Sequence, residues 1–507
     1  MSSPLVIGID SSTTSTKALV VDDQGTVLAE GKAEFAMQTP RVDFYEQDAH
    51  DWWRSTDTAV GEAVGKLEPG DRARISHLCA TIQRQTFTLV DEQGEPLRPG
   101  ILWLDGRAAE QVRRIGSEHI HQLTGFQPDV TPSVYKIAWL ADHEPELVTS
   151  AHKLVGVHAY LVHAMTGRFV DSAATADSLG LFDMAHLDWS DEMITHAGLR
   201  REQLCELVPA ASVIGPIDSA ITSAWGIDQE VQLVASCGDG QAAALGVGAI
   251  GLDEAYLNMG TALVAGVHSP DYEHASVFRT DAAGIPGQYV LEIVQNSGAY
   301  LAGWFRDKLG DPNLGGRPDP ALDEAAASVA AGCGGLVTLP YWNAVQSPFW
   351  NPVAHGAIVG LAGAYGRPEL YRSTLEGLSI EMARNLAGLA TTTGVPLRTV
   401  TAVGGGQRSP LWRRIMTDAI GLPLTESPTE EVSAMGAAVM AMAAAGRYDS
   451  VQDAATAMAK HGATTEPDPD NHELYRELGE IQAATYHRLA DIFDAQYAFA
   501  ATHPLHP

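Results

Sequence analysis

The stretch that decides the fold runs from Val231 to Gly248, VQLVASCGDGQAAALGVG. An apolar run ends at small residues, Asp239 lies between two glycines, and an alanine-rich segment follows. A buried strand, a glycine turn and a helix in this order are typical of an open α/β sheet. Ligands bind outside the carboxyl ends of the strands in such sheets, so Asp239 is a candidate catalytic residue. The structural alternative is an aspartate that caps the following helix.

The same glycines permit a second interpretation, a nicotinamide-binding dehydrogenase. Gly238-x-Gly240-x-x-Ala243 fits part of the dinucleotide-binding fingerprint. That fingerprint also needs an acidic residue at the end of a second strand, and the sequence has none at the expected distance. The dehydrogenase hypothesis is therefore the weaker one.

Composition restricts the class of protein. The 507 residues predict two or more domains, and 45% hydrophobic residues are typical of a globular protein. A formal net charge of −31 disfavours partners with negative charge, so we expect neither nucleic acid nor a membrane surface. The four cysteines are far apart, which predicts no disulfide framework and no zinc site. With no secretory signal pattern before the first strand, the expected location is the cytoplasm.

The N-terminal segment predicts a hairpin that binds phosphate. Leu5–Asp10 and Lys17–Asp22 are two apolar strands, and six consecutive hydroxyl residues, 11–16, separate them. Hydroxyl and backbone N–H groups can hold phosphate oxygens, with Lys17 as a nearby cation. Asp10, at the end of the first strand, is a candidate magnesium ligand. The alternative is an ordinary serine- and threonine-rich turn.

The hairpin pattern recurs in the second half of the chain. Glu254–Met259 leads into Gly260-Thr261, and Ala262–Val267 returns. Two such hairpins, each opening one half of the chain, predict a duplicated nucleotide-binding domain with a cleft between the copies. The repeat is too long to indicate a solenoid.

Two further segments carry polar groups at predicted strand ends. Gln83–Thr86 follows a strand, and Ile101–Arg107 is predicted to be another strand. Arg84, Gln85 and Asp105 would supply hydrogen bonds to a polyhydroxylated ligand. Trp103 would stack on a sugar or fill the core.

A triple glycine follows the apolar run Val400–Val403. Gly404, Gly405 and Gly406 carry no side chains, so a planar ring or a phosphate can lie against their backbone. Glycine-rich loops without ligands are also common, and the two interpretations stay open on these residues alone.

Five segments in order resemble the FGGY family of carbohydrate kinases over almost the whole chain: Ile9–Thr14, Leu102–Arg107, Cys237–Gln241, Asn258–Thr261 and Val403–Gly406. The start of the late helix, Glu431–Ala438, resembles the family as well. The resemblance implies an α/β fold of two ribonuclease-H-like (actin-like ATPase) domains with an interdomain cleft. It places the N-terminal domain, with the sugar site and catalytic base, at 1–250. The C-terminal, nucleotide-binding domain is then 251–507 and ends in a helical tail.

The resemblance also implies transfer of the γ-phosphate of ATP to a sugar or polyol hydroxyl with Mg²⁺, and Asp239 as the catalytic base. It implies an ATP-binding set consisting of Ser12, Thr13, Thr14, Lys17, Gly260, Thr261, Gly404, Gly405 and Gly406. Asp10 is the expected metal ligand. The expected substrate-binding residues are Arg84, Gln85, Trp103, Asp105, Gly240 and Gln241.

The motifs that resemble particular kinases are mixed. Tyr45–Trp53, Leu102–Arg107 and His143–Glu146 are similar to xylulokinases, so D-xylulose is the leading substrate. Gln83–Thr86 and Ser347–Pro352 are closer to glycerol kinases, so glycerol, another polyol or another ketopentose is the alternative. An actin- or chaperone-like ATPase is the hypothesis of a different class. The oligomeric state stays open, with a homodimer among the options.

Overall fold

A computed structural model describes residues 3–315 and 317–503, and two large sheets organise it. The first sheet contains β1 (Leu5–Ser11), β2 (Ser15–Val21), β3 (Val27–Glu34), β4 (Ile75–Ile82), β5 (Val213–Pro216) and β6 (Gln232–Val234). Its six strands lie in the order β5-β6-β4-β1-β2-β3. β1 is antiparallel to β2 and parallel to β4, and β4 is parallel to β6. The predicted first hairpin is therefore confirmed.

The second sheet contains β7 (Glu254–Met259), β8 (Leu263–Ser269), β9 (Arg279–Ala282), β10 (Tyr289–Gln295), β11 (Thr399–Val403), β12 (Leu424–Glu426) and β13 (Thr464–Thr465). Its seven strands lie in the order β9-β10-β8-β7-β11-β12-β13. β7 is antiparallel to β8 and parallel to β11, and β11 is parallel to β12. The series β10-β8-β7-β11-β12 thus repeats the series β3-β2-β1-β4-β6. The duplication and the α/β class predicted from the two hairpins are confirmed.

Helices cover both sheets, and eleven of those in the described residues have eight residues or more. They are α1 (His50–Gly65), α2 (Ser133–His143), α3 (Val157–Thr166), α4 (Asp239–Gly246), α5 (Ala299–Leu309), α6 (Pro320–Ala327), α7 (Arg367–Thr393), α8 (Pro410–Ile420), α9 (Val432–Ala444), α10 (Val451–Met458) and α11 (Pro469–Thr502). None of the helices in 3–315 and 317–503 is both long and apolar enough to cross a bilayer. α11 forms the predicted helical tail, and residues 504–507 of the chain lie outside the described part.

Shorter elements connect these layers. A five-stranded sheet joins Gln38–Arg41, Phe44–Gln47, Gly100–Ile101, Phe87–Val90 and Lys153–Gly156. Three small ladders pair Val170–Ser172 with Glu206–Val208, Phe182–Asp183 with Asp188–Trp189, and Val337–Leu339 with Ala357–Val359. The short helices are Pro69–Arg72, Ala109–Ile115, Glu118–Thr124, Pro145–Ser150, Ala173–Ala176, Asp191–His196 and Ser219–Ala224.

Helix α9 comes from the second half of the chain but packs against the first sheet. A Cβ on Gly8 of β1 would overlap the carbonyl oxygen of Ala434, so strand and helix are in backbone contact. On the same helix, a Cβ on Gly436 would overlap the carbonyl oxygen of Ala242 in α4. Only glycine permits these approaches, because it has no Cβ. The contact fixes α4, whose first residue is Asp239, against the sheet, and the domain division at residue 250 stays a prediction.

Candidate active site

The carboxyl edge of the first sheet brings three segments together. Ser11 at the end of β1 pairs with Ile82 at the end of β4, and Ile82 forms a bridge to Gly238. Asp10 and Asp239 therefore lie at the same edge of the sheet, where open α/β sheets bind their ligands.

Asp239 is the first residue of α4, and the residue that caps this helix is Gly238. Its Oδ1 accepts a hydrogen bond from the backbone N–H of Gly240 (2.9 Å), and its backbone oxygen accepts one from the Ser433 hydroxyl of α9 (3.0 Å). Burial raises the pKa of the half-buried Asp239 carboxyl, the charge of Glu292 raises it further, and Arg84 opposes both. A carboxylate whose pKa is raised in this way is a stronger base than an ordinary aspartate.

Asp10 has an oxygen without a partner. Its Oδ1 is buried and accepts no hydrogen bond within the described residues. Burial raises the pKa of Asp10 to about 8, the charges of Asp239 and Glu431 add to this, and Lys17 opposes it. A carboxylate whose charge is not compensated fits Mg²⁺, which binds one or two protein carboxylates and completes its shell with water and phosphate oxygens. No group of three or more His, Cys, Asp or Glu side chains is arranged for a metal in the described part of the chain.

The hydroxyl residues of the turn between β1 and β2 lie at the same carboxyl edge of the first sheet. The Ser12 hydroxyl donates to the backbone oxygen of Ser15 (2.8 Å), and the Thr13 hydroxyl accepts from Trp103 Nε1 (3.0 Å). Thr14 is exposed. Lys17 Nζ donates to both carboxylate oxygens of Glu431, at 2.7 and 2.6 Å, which ties the hairpin to the start of α9.

The second sheet repeats this arrangement with glycines. Asn258 of β7 pairs with Val403 of β11, so the turn at Gly260 and Thr261 lies beside the triple glycine. Gly404 has a φ of +83°, and a Cβ there would lie 2.6 Å from Asn258 Oδ1. A Cβ on Gly406 would lie 2.6 Å from the Trp412 ring, whereas a Cβ on Gly405 would meet nothing within 4 Å. Gly405 therefore exposes bare backbone, whereas Gly404 and Gly406 pack against the protein, and the ligand role of the three glycines stays a prediction.

Comparison with known proteins identifies the family. Residues 5–246 match the N-terminal domain of the FGGY family of carbohydrate kinases, and residues 255–445 match its C-terminal domain. The chain belongs to this family. It is therefore a phosphotransferase that acts on an alcohol group of a sugar or related carbohydrate.

Individual relatives extend over nearly the whole chain. The chain is 31% identical to a xylulose kinase of Escherichia coli (strain K12) over 448 residues, which are 87% of this chain and 90% of that protein. It is 27% identical to a gluconokinase of Bacillus subtilis (strain 168) over 508 residues, 97% and 96% of the two chains. A crystal structure of gluconate kinase from Lactobacillus acidophilus superposes with a TM-score of 0.91 at 23% identity and covers 97% of this chain and 100% of that one. This likeness confirms the two-domain actin-like fold.

Arg84 of the kinase lies in a buried cluster of charges. The side chain is 6% exposed, and its guanidinium lies 2.8 Å from Asp177 Oδ2 and 2.6 Å from Asp281 Oδ1. Asp177 Oδ2 also accepts the backbone N–H of Ala282 (2.8 Å). Burial raises the pKa of Asp281 to about 7, although Arg84 and Arg279 oppose the rise. Arg84 thus joins the predicted sugar-binding loop to β9 of the second sheet.

Glu292 of β10 continues this cluster towards the base. Its Oε1 accepts the Tyr256 hydroxyl (2.7 Å), and its Oε2 accepts Arg279 Nε (2.7 Å). A Cβ on Gly240 would overlap Glu292 Oε1, so the glycine after Asp239 is required for this close approach.

Both glutamines of the predicted substrate-binding set have a buried side-chain atom without a hydrogen-bond partner in the described residues. Gln85 Nε2 lacks an acceptor and Gln241 Oε1 lacks a donor. The backbone of Gln85 has a φ of +59°. Residues other than glycine rarely adopt this conformation, and those that do are frequent at functional sites. Gln241 Nε2 donates to the backbone oxygen of Ala282 (3.2 Å). A free donor and a free acceptor are what a polyhydroxylated ligand can satisfy.

The segment Ile101–Arg107 is not a strand, and this prediction was wrong. Only Gly100–Ile101 pairs, because Asp105 turns the chain by accepting the backbone N–H groups of Tyr45 (2.7 Å) and Arg107 (3.1 Å). Asp105 is fully buried and also accepts the Arg107 guanidinium through both oxygens, at 2.8 Å each. Its oxygens are thus taken up by the protein, and it supports the loop that carries Trp103. Trp103 itself is 36% exposed and does not fill the core.

Sequence reasoning missed four carboxylates of this site: Asp177, Asp281, Glu292 and Glu431. Glu292 had a signal, because a single charge interrupts the apolar strand YVLEIVQ. Asp177 pairs with Arg84 within the first half of the chain, and Asp281 reaches Arg84 only through the packing of the two halves. Glu431 lies in the segment that resembles the family's late helix start, but its pairing with Lys17 also depends on the packing of the two halves.

Proposed function

We propose that this kinase phosphorylates a small neutral sugar with ATP, that D-xylulose is its substrate, and that Asp239 is the general base. Asp239 Oδ1 is occupied by the Gly240 N–H, which orients the carboxylate and leaves Oδ2 for the acceptor hydroxyl. Taking the proton from that hydroxyl as the bond to phosphorus forms makes it a better nucleophile in an in-line transfer.

The nucleotide would lie between the two sheet edges. The turn at Ser12, Thr13 and Thr14 and the turn at Gly260 and Thr261 offer hydroxyl and N–H donors to the phosphates, and Gly405 offers a flat surface to the adenine. Asp10 would hold Mg²⁺ directly or through water. When bound, Mg²⁺ neutralises charge on the phosphate oxygens.

The charge of the buried cluster supports a neutral substrate. The carboxylates of Asp177, Asp281, Glu292 and Asp239 outnumber the guanidiniums of Arg84 and Arg279. Each guanidinium already lies between two carboxylates. A sugar acid would add another negative charge to this cluster, whose two guanidiniums are already paired with carboxylates, whereas a ketose or polyol brings only hydroxyl groups. This observation favours D-xylulose over the gluconate that some relatives are named for.

Substrate preference can be measured as ADP release with Mg-ATP. The panel is D-xylulose, D-ribulose, L-ribulose, L-xylulose, glycerol, erythritol, C5 sugar alcohols and D-gluconate. We expect the largest kcat/KM for D-xylulose and a value lower by about 100-fold or more for D-gluconate, because like charges in a buried site cost several kcal/mol. A preference for glycerol or another polyol would overturn the ketopentose assignment but retain the neutral class. A preference for D-gluconate would overturn both.

The pH dependence tests the contact between Glu292 and the base. Activity requires the Asp239 carboxylate, so kcat/KM should rise with pH through the pKa of this group. Burial and the charge of Glu292 raise that pKa. Removing the charge with Glu292→Gln lowers the Asp239 pKa, so the acidic limb of the kcat/KM profile should move to lower pH. The exposed Glu202→Gln variant is the control and should retain the wild-type profile. A limb unchanged in Glu292→Gln would show that Asp239 is not the group that titrates.

A further inference from the structure

A buried histidine–aspartate pair contacts the segment that precedes Asp239 in the chain. His158, at the start of α3, and Asp171, on Val170–Ser172, are each 2% exposed. His158 Nδ1 lies 2.7 Å from Asp171 Oδ1, and His158 Nε2 lies 3.3 Å from the backbone nitrogen of Ser236. Ser236 is buried and precedes Asp239 by three residues.

The hydrogen bonds determine the tautomer of His158. A backbone N–H only donates, so Nε2 must be the acceptor for Ser236, and the ring proton must be on Nδ1. Nδ1 then donates to Asp171 Oδ1. The same oxygen accepts the backbone N–H of Ser172 (2.9 Å) and the hydroxyl of Thr175 (2.6 Å), which fix the carboxylate. A carboxylate bound to one ring nitrogen orients the other, as outer-shell carboxylates do for metal-binding histidines.

Each of the three residues that precede Asp239 is held by a contact to another segment. The backbone oxygen of Cys237 accepts the Thr81 hydroxyl (2.6 Å), and Gly238 forms the bridge to Ile82. His158 supplies the anchor at Ser236. These three contacts set the direction in which the chain enters α4 and presents the Asp239 carboxylate.

We propose that His158 is a positioning residue for phosphoryl transfer. It holds the backbone at Ser236, and Asp171 keeps it in the tautomer that can do so. The proposal rests on the base role of Asp239 given above. A shift of about 1 Å in a reacting group can cost about 100-fold in rate, so loss of the anchor reduces kcat while the ATP site is unaffected.

Two substitutions of His158 distinguish its hydrogen bond to the Ser236 N–H from the mere filling of its buried position. In His158→Gln the side-chain oxygen can take the position of Nε2 and accept the Ser236 N–H. In His158→Asn the amide can reach only the position of Nδ1, so it retains the donor to Asp171 and leaves the Ser236 N–H buried and unpaired. Steady-state kinetics and backbone hydrogen exchange of the peptide that covers 236–240 are measured for both. We expect His158→Gln within about threefold of wild-type kcat with slow exchange. In His158→Asn, kcat should fall about tenfold or more at unchanged KM for ATP, with faster exchange.

His268→Asn is the matched control. His268 is 1% exposed on β8, and its Nδ1 donates to the backbone oxygen of Ala249 (2.8 Å), a bond that asparagine can retain. This variant should retain wild-type kcat and slow exchange at 236–240. Equal kcat and equal exchange in His158→Gln and His158→Asn would overturn the positioning role. Faster exchange in His158→Asn together with an active Asp239→Asn variant would instead overturn the base role of Asp239, because the exchange measurement does not depend on catalysis.

Discussion

Replacing Asp239 with asparagine is expected to lower kcat for sugar phosphorylation by about 10²–10⁴-fold, the usual contribution of a general base. Asparagine has nearly the same shape and can accept the Gly240 N–H, but it cannot take a proton from the acceptor hydroxyl. Affinity for ATP should be unchanged, because no predicted nucleotide contact includes Asp239. Turnover of D-xylulose and an ATP-binding titration measure the two effects.

Asp218→Asn is the control for this substitution. Asp218 is exposed and caps the helix Ser219–Ala224 through the N–H of Ala220, a role that asparagine performs equally well. It should retain wild-type kcat. An Asp239→Asn or Asp239→Ala variant with more than about one hundredth of the wild-type rate would contradict the base assignment.

Replacing Arg84 with methionine is expected to destabilise the protein by about 3–5 kcal/mol, because it leaves buried carboxylates without their partner. Asp177 and Asp281 are fully buried, and Arg84 is the cation closest to both. The thermal midpoint should fall by several degrees. Adding Asp281→Asn to Arg84→Met removes one of the uncompensated charges and should restore part of the loss.

An exposed ion pair provides the comparison. Arg54 pairs with Asp51 at 2.6 Å on the surface of α1, where water screens the charges. Arg54→Met should leave the thermal midpoint nearly unchanged. If Arg84→Met melted at the wild-type temperature, the buried cluster would not be an electrostatic connection between the two halves.

Much of the fold follows from local patterns. The two apolar strands of each hairpin are adjacent in the chain. The pairing of β1 with β2 and of β7 with β8, and with it the duplication, could therefore be predicted. The packing of α9 on the first sheet could not, because it depends on Gly8 meeting Ala434, more than four hundred residues further along the chain, and on Gly436 meeting Ala242. Asp105 shows a different limit, since its hydrogen bond to Tyr45 overrode the apolar pattern of Ile101–Leu104.

The site is predictable only in part for the same reason. Asp10, Asp239 and the triple glycine lie at strand ends that the sequence marks with small residues. In the structure the chain before Asp239 meets the end of β4, and the strand before the triple glycine meets the end of β7. The pairing of Arg84 with Asp281 joins residues far apart in sequence and needs the three-dimensional packing.

The most direct test of phosphoryl transfer to the sugar follows the γ-phosphate of labelled ATP in the presence of Mg²⁺ and D-xylulose. We expect the label to move to the sugar in amounts equal to the ADP formed, and Asp239→Asn to slow the transfer by about 10²-fold or more while ATP still binds. Label released only as inorganic phosphate, at a rate that no sugar or polyol changes, would contradict it and favour an actin- or chaperone-like ATPase.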